Sequence, residues 1–265
     1  MPGYFVKTVH KGNKIYHINY GRIVMSVVLL LAVIVFGVCM LISGVRKNKA
    51  NEQLASRFTL LSMSSVPKAS EQTKQRCVVL DPGHGGTDPG TSAEGIDEKD
   101  INLSICLETE KILRAYGYTV LMTRRDDSDV DTMAVLNEAG EVHADLFVAV
   151  HQNAMENDTT TNGIETWYEN KDDYSEMLAQ CLQTAAVEAT GAQDLGIKNS
   201  QSFMVPREAT MPSALIETGF LTEAAEREKL NSRFYQQTIA QAIADGINDF
   251  FSQAQMEASQ FDFGF

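Results

Sequence analysis

Residues Cys77–Gly86 read CVVLDPGHGG. Four apolar residues run straight into Asp-Pro-Gly, the pattern of a buried strand that opens into a loop. Gly83, Gly85 and Gly86 clear space around a single histidine, His84. Outward from this stretch, helical and extended patterns alternate. Ile101 to Tyr116 has helical spacing of Ile101, Ile105, Leu107, Ile112 and Leu113, with Gly117 as its stop. Further strands are predicted over Thr119–Thr123, Leu146–Val150, Ile164–Tyr168, Ser202–Val205 and Ala214–Thr218. Helices are predicted over Asp131–Val142, about Tyr174–Thr190 and Gln236–Phe251. Strands alternating with helices imply an α/β domain, a mostly parallel mixed sheet of about six strands with helices on both faces. It spans 76–252, with 253–265 expected to be a loose tail.

Upstream of this domain the chain changes character. The 265 residues carry a net charge of −13, but residues 1–49 hold seven Lys or Arg and no Asp or Glu. The remaining 216 residues hold 15 basic and 35 acidic groups, a net of −20. Opposite charges on two parts of one chain suggest two environments. Between Arg22 and Arg46 lie 23 uncharged residues, IVMSVVLLLAVIVFGVCMLISGV. As a helix they would cover roughly 34 Å, slightly more than a ~30 Å hydrocarbon core. The run is longer than a secretory signal core and has no clear small-residue cleavage site, which favours an uncleaved anchor over a cleaved signal. We therefore expect a cytoplasmic basic tail (1–22), one N-terminal transmembrane helix (23–45), a stalk (46–75) and the catalytic domain on the outer face of the cell membrane. The acidic body argues against a nucleic-acid partner.

Of four cysteines, Cys39 lies in the apolar run, and Cys77, Cys106 and Cys181 have no zinc spacing among them. They read as small buried hydrophobes, with one disulfide of undetermined pairing as the alternative.

Open α/β sheets place their sites at the carboxyl ends of strands. His84 follows the first strand and His151 follows Leu146–Val150. Imidazole is the commonest nitrogen ligand of zinc, and a catalytic zinc takes three protein ligands. Each histidine alone could be an ordinary loop residue. Glu98 is a third candidate ligand, reached by a loop containing Gly86, Gly90 and Gly95. It could equally be a helix-start acid facing the dipole, and Asp97 and Asp100 compete for the ligand role. Glu217 lies inside an otherwise buried run, Ala214–Phe220. A carboxylate there is costly unless paired or near a metal, and its pKa should rise towards neutrality, which suits a general base. The alternative is a core ion pair with an Arg or Lys, Arg207 being one candidate.

Four motifs carry a resemblance: DPGHGG at Asp81–Gly86, EKDINL at Glu98–Leu103, DLFVAVHQNA at Asp145–Ala154 and MPSALIETGFLT at Met211–Thr222. Together they resemble the zinc-dependent N-acetylmuramoyl-L-alanine amidases of the amidase-3 type, over about Arg76 to Phe251. The resemblance implies Zn2+ held by His84, Glu98 and His151, with Glu217 as general base acting on zinc-activated water. The implied substrate is peptidoglycan, cut between the lactyl group of N-acetylmuramic acid and L-alanine. Members of the family often carry Ser where Ala149 stands and Ala where Gln152 stands, departures that could alter the support of the ligands or the fit of the substrate but remove no implied ligand. Some relatives carry an inserted helix after the strand corresponding to Ile164–Tyr168. Only Glu169–Asp173 follows that strand here, so open access to the metal and no obligate protein partner are expected. One anchor with one catalytic domain also resembles amidases of spore-cortex maturation.

Overall fold

The computed structural model describes residues 6–11, 14–19, 75–170 and 172–261. The proposed anchor at 23–45 and nearly all of the stalk lie outside these residues. Among the described residues, no helix is long and apolar enough to cross a membrane.

Two units are distinguished, residues 1–49 and residues 50–265. In the first, β1 (Val6–Lys11) pairs antiparallel with β2 (Lys14–Asn19), with Lys11 opposite Lys14. The basic tail therefore contains a hairpin that the charge reading did not foresee. Its signal is Gly12-Asn13 between two alternating runs, a preferred two-residue hairpin sequence.

The second unit is built on a six-stranded sheet. Its strands are β3 (Cys77–Pro82), β6 (Thr119–Met122), β7 (Leu146–Asn153), β8 (Ile164–Tyr168), β9 (Asp194–Asn199) and β10 (Ser213–Phe220). A small hairpin, β4 (Ser92–Ala93) with β5 (Ile96–Asp97), lies in the loop after β3. The sheet order is β6-β3-β7-β10-β8-β9. β6, β3, β7 and β10 are parallel, β8 runs against β10, and β9 is parallel to β8. The expected mixed, mostly parallel sheet is present.

Helices cover both faces, because successive strand side chains point to opposite sides. On one face Val78, Leu80, Val148, Val150 and Ile216 pack against α1 (Glu98–Ala115), α3 (Asp173–Thr190) and α6 (Arg233–Phe261). On the other, Val79, Phe147, Ala149 and Leu215 pack against α2 (Thr132–Glu141) and α4 (Met204–Glu208). The short α5 (Ala224–Leu230) adds Leu230 to the first core.

Three sequence expectations are corrected. Ser202–Val205 is not a strand: Met204–Glu208 forms α4, whose first turn contains Pro206, a position that tolerates the missing N–H. The sixth strand is Asp194–Asn199 instead, an edge strand whose register with β8 slips near Gly196, a residue with φ 75°. The tail after Ser252 is not loose up to Phe261, because α6 continues to that residue. Its QAQMEASQ sequence consists mostly of good helix formers. Cys77, Cys106 and Cys181 form no disulfide with one another, and Cys106 and Cys181 are buried, as the small-hydrophobe reading expected.

Candidate metal and catalytic centre

The parallel strands deliver their carboxyl ends to one edge of the sheet. Pairing places Asp81 beside Ala149 and Pro82 beside Val150, so β3 hands the chain to the His84 loop next to His151. On the other side of β7, Glu217 lies directly opposite His151. Glu217 in turn lies opposite Glu165 on antiparallel β8. His151 and Glu217 thus come from neighbouring strands. Glu98 arrives separately, as the first residue of α1.

Three of the four candidates converge. One ligand atom from each of His84, Glu98 and His151 lies within 4.8 Å of the others. His84 Nε2 is 3.3 Å and His151 Nδ1 3.0 Å from Glu98 Oε1. Asp97 and Asp100 do not join them: Asp97 accepts from Ser92 Oγ, and Asp100 is exposed at the helix start. Glu98 alone of the three acids is buried, and it alone joins the two histidines. Arg207 is not the partner of Glu217; it pairs with Glu208 and donates to the carbonyl of Gln201.

The loop is shaped by residues with positive φ. His84 has φ 64°, unusual for a residue with a Cβ, and it heads a left-handed run with Gly85 and Gly86. Asp88 Oδ2 lies 2.8 Å from His84 Nδ1 and orients the ring. Asp127 and Asp129 accept from Gly86 N, Thr87 N and Thr87 Oγ1, tying down the loop from outside. Buried Arg124 donates to the carbonyls of Pro82 (2.9 Å), Gly83 (3.0 Å) and Lys99 (2.8 Å), joining the loop to the start of α1. A Cβ on Gly83 would stand 2.1 Å from His151 Cε1. Gly83→Ala is therefore expected to displace the His151 ring and remove metal binding while leaving the sheet folded. Zinc titration together with a far-ultraviolet circular dichroism spectrum checks this.

Electrostatics follow from burial and crowding. Burial would raise the Glu98 carboxyl, but hydrogen bonds with His151 and His84 outweigh it and hold its pKa well below the usual range. The hydrogen bond with Glu98 raises His84 to about 9, against the effect of its partial burial. Glu217 is pushed up to about 8, chiefly by burial and further by the charges of Glu98 and Glu165, while His151 and His84 oppose the rise. Its Oε2 is buried without a hydrogen-bond partner. Glu165 is satisfied instead: it pairs with Lys198 and accepts from Trp167 Nε1 (2.9 Å) and Asn153 Nδ2 (2.7 Å).

These shifts set the pH response of the metal-free protein. His84 contributes stability that is complete below its ordinary 6.5 and is lost as pH rises through about 9. Glu217 keeps its proton to about 8, whereas an unfolded glutamate loses it near 4.5, so stability also falls as pH rises between those values. The metal-free melting temperature should therefore fall from pH 6.5 to 9. Zinc should reverse the trend, because its ligands bind deprotonated. Melting curves at several pH values, with chelator and with zinc, test both signs.

The donor set suits zinc. Two imidazoles and one carboxylate are a recurrent catalytic set, and here the two rings and the acid already meet at one point. Beyond the four candidates, the site depends on Gln152, which the sequence marks only as a departure from the family pattern, and on residues the sequence reading passed over: Asn102, Arg124, Asp88 and Glu165. Two of them had a usable signal. Asn102 stands one helical turn after Glu98 and so shares its face, and Glu165 is an acid within an apolar strand, as Glu217 is.

Known proteins resemble this chain in sequence and in fold. A family model described as N-acetylmuramoyl-L-alanine amidase matches residues 78–249. The N-acetylmuramoyl-L-alanine amidase LytC of Bacillus subtilis is 32% identical over 207 residues, 77% of this chain, yet the chain spans only 41% of that relative's length. A crystal structure of an N-acetylmuramoyl-L-alanine amidase from Clostridium difficile 630 superposes with a TM-score of 0.65 at 37% identity, covering 68% of this chain and 98% of that one. The CwlD amidase of Clostridioides difficile, solved in complex with the GerS lipoprotein, superposes with a TM-score of 0.61 at 31% identity, covering 67% and 99%. With its family match, its mixed six-stranded sheet and two histidines and a glutamate gathered at the strand ends, the chain belongs to the amidase-3 family of N-acetylmuramoyl-L-alanine amidases.

Proposed function

We propose that the chain is a zinc-dependent peptidoglycan amidase that hydrolyses the bond between the lactyl group of N-acetylmuramic acid and L-alanine. The observation that carries this reading is the convergence of His84, Glu98 and His151 beside a buried Glu217 whose Oε2 has no hydrogen-bond partner. His84, Glu98 and His151 would hold the zinc. When bound, zinc supplies Lewis acidity, polarising an amide carbonyl and making water acidic near neutral pH.

The protein's own residues account for the proton traffic. Glu217 Oε2 has no competing hydrogen-bond donor, so in its ionised form it can accept a proton from the attacking water. The same oxygen then carries that proton to the departing amine of L-alanine, so no net proton is gained or lost by the enzyme. Burial makes Glu217 a stronger base than an exposed glutamate. Asp88 fixes the His84 ring, and Arg124 fixes the loop that bears it. Access is direct, since residues 169–172 alone separate β8 from α3. We therefore expect the zinc-loaded chain to act without an added protein.

The reading extends to location. Residues 23–45 anchor the chain in the cell membrane with the N-terminus in the cytoplasm, and the catalytic domain works on the outer face in wall remodelling, of which spore-cortex maturation is one form. Anchoring suits a domain whose net negative charge gives it no general attraction to an anionic wall. The enzymatic proposal is tested by incubating purified sacculi with the protein. Solubilisation that stops with chelator and returns with zinc supports it. Activity indifferent to chelator, or appearing only after another protein is added, contradicts it.

A further inference from the structure

Behind the three candidate ligands runs a line of buried polar side chains. Thr218 Oγ1 donates to Gln152 Oε1 (2.8 Å), and Gln152 Nε2 donates to Asn102 Oδ1 (3.1 Å). Asn102 Nδ2 donates to Glu98 Oε1 and to the Gly83 carbonyl, both at 3.2 Å. Thr218, Gln152 and Asn102 are all at most 2% exposed. Their surroundings are apolar: Val150 and Ile216 precede Gln152 and Thr218 by two residues on the same strand faces, and Ile101 and Ile105 flank Asn102 on α1. Three buried polar groups in such a place are costly unless each is paired, and here each is.

The direction of every link is dictated by chemistry. A backbone carbonyl can only accept, so Asn102 must present its NH2 to Gly83 and to the Glu98 carboxylate. Its oxygen then faces Gln152, which must present its own NH2. That leaves the Gln152 oxygen to accept from the Thr218 hydroxyl. All donors point towards Glu98, so the links polarise one another in the sense that favours the ionised carboxylate. Gln152 also donates its backbone N–H to the same Glu98 oxygen, at 3.0 Å.

The line also touches every segment of the site. Gly83 precedes His84, Asn102 follows Glu98 by one turn, Gln152 follows His151, and Thr218 follows Glu217. We propose that Gln152 is a positioning residue of the metal centre: its side chain links Thr218 on β10 to Asn102 on α1, and so holds the Glu98 carboxylate in its ligating position and sets the affinity for zinc. This rests on reading His84, Glu98 and His151 as a zinc centre. Partners of metal ligands typically govern affinity by 10–100-fold.

The test is the zinc dissociation constant, measured by competition with a chromogenic chelator, beside the melting temperature of the metal-free protein. Gln152→Leu keeps the size and removes both links, and should weaken zinc about 10–100-fold. Thr218→Val loses one hydroxyl only and should weaken zinc in the same sense, while Thr218→Ser should restore wild-type affinity. The double variant Gln152→Leu/Thr218→Val should bind no more weakly than Gln152→Leu alone, because the hydroxyl acts through Gln152. Should Gln152→Leu fail to fold, the Thr218 pair carries the measurement. Wild-type affinity in Gln152→Leu and Thr218→Val, with only the metal-free melting temperature lowered, overturns the inference and leaves the zinc centre standing. Equal zinc binding by wild type and His84→Ala overturns the centre itself and the inference with it.

Discussion

Glu217→Gln should lower the rate of wall hydrolysis by about 10²–10⁴, the range typical for loss of a positioned general base. The side chain lies on β10 opposite His151, is 6% exposed, and leaves one oxygen without a partner. The amide is nearly the same size and removes only the ability to take a proton. Zinc content should stay at the wild-type level, since Glu217 is not among the three convergent ligands. The fold should be unharmed or slightly stabilised above neutral pH, because the wild-type acid must ionise in a buried place there. Kinetics on solubilised wall fragments and metal analysis of the same preparation check both points. A rate within tenfold of wild type would remove Glu217 from the mechanism.

Glu98→Gln should abolish activity and weaken zinc by more than about 100-fold, beyond the range expected for a residue that only supports a ligand. Glu98 supplies the only carboxylate in the convergent set, and its charge balances the two imidazoles. Without it the raised pKa of His84 loses its main cause, so His84 should titrate closer to its ordinary value in the metal-free variant. Asp97→Asn and Asp100→Asn provide the controls. Their side chains stand outside the convergent set, so zinc affinity should change less than twofold. Loss of zinc in either aspartate variant, with Glu98→Gln unaffected, would reassign the third ligand.

These two substitutions mark the boundary between what was legible in the sequence and what was not. Strands β3, β7 and β10 contain the apolar runs Cys77–Leu80, Leu146–Val150 and Ala214–Ile216, and His84, His151 and Glu217 follow those runs, so both the sheet and the location of the site can be read directly. Periodicity and charge left Glu98, Asp97 and Asp100 equivalent. The motif resemblance favours Glu98, and the fold shows why: the turn into α1 buries the first helical residue and leaves Asp100 outside. β9 was missed because Gly196 interrupts a run whose only large apolar residues are Leu195 and Ile197, and because an edge strand needs less burial. Ser202–Val205 was misread because Phe203 and Val205 fit a strand, whereas they instead cover the sheet face near Trp167 from loop and helix. The hydrogen-bonded line through Gln152 lay beyond any local pattern, since its links join residues 50 and 66 positions apart.

The corrections also sharpen the charge argument. Of the acids that give the chain its net −13, several are committed to structure: Asp127 and Asp129 hold the His84 loop, Glu165 pairs with Lys198, and Glu98 and Glu217 are buried near enough for the charge of Glu98 to raise Glu217. Attraction to the wall must then come from the site itself and from proximity, with the cationic N-terminal segment kept apart from the substrate by the proposed anchor.

The central claim is that this centre cuts the lactyl–L-alanine amide. Mass spectrometry of muropeptides released from purified peptidoglycan by the zinc-loaded protein tests it most directly. The account predicts intact stem peptides with newly free L-alanine amino termini, together with glycan strands bearing unsubstituted lactyl groups. Shortened stems still attached to muramic acid, or reducing sugar ends from cleaved glycan, would contradict it.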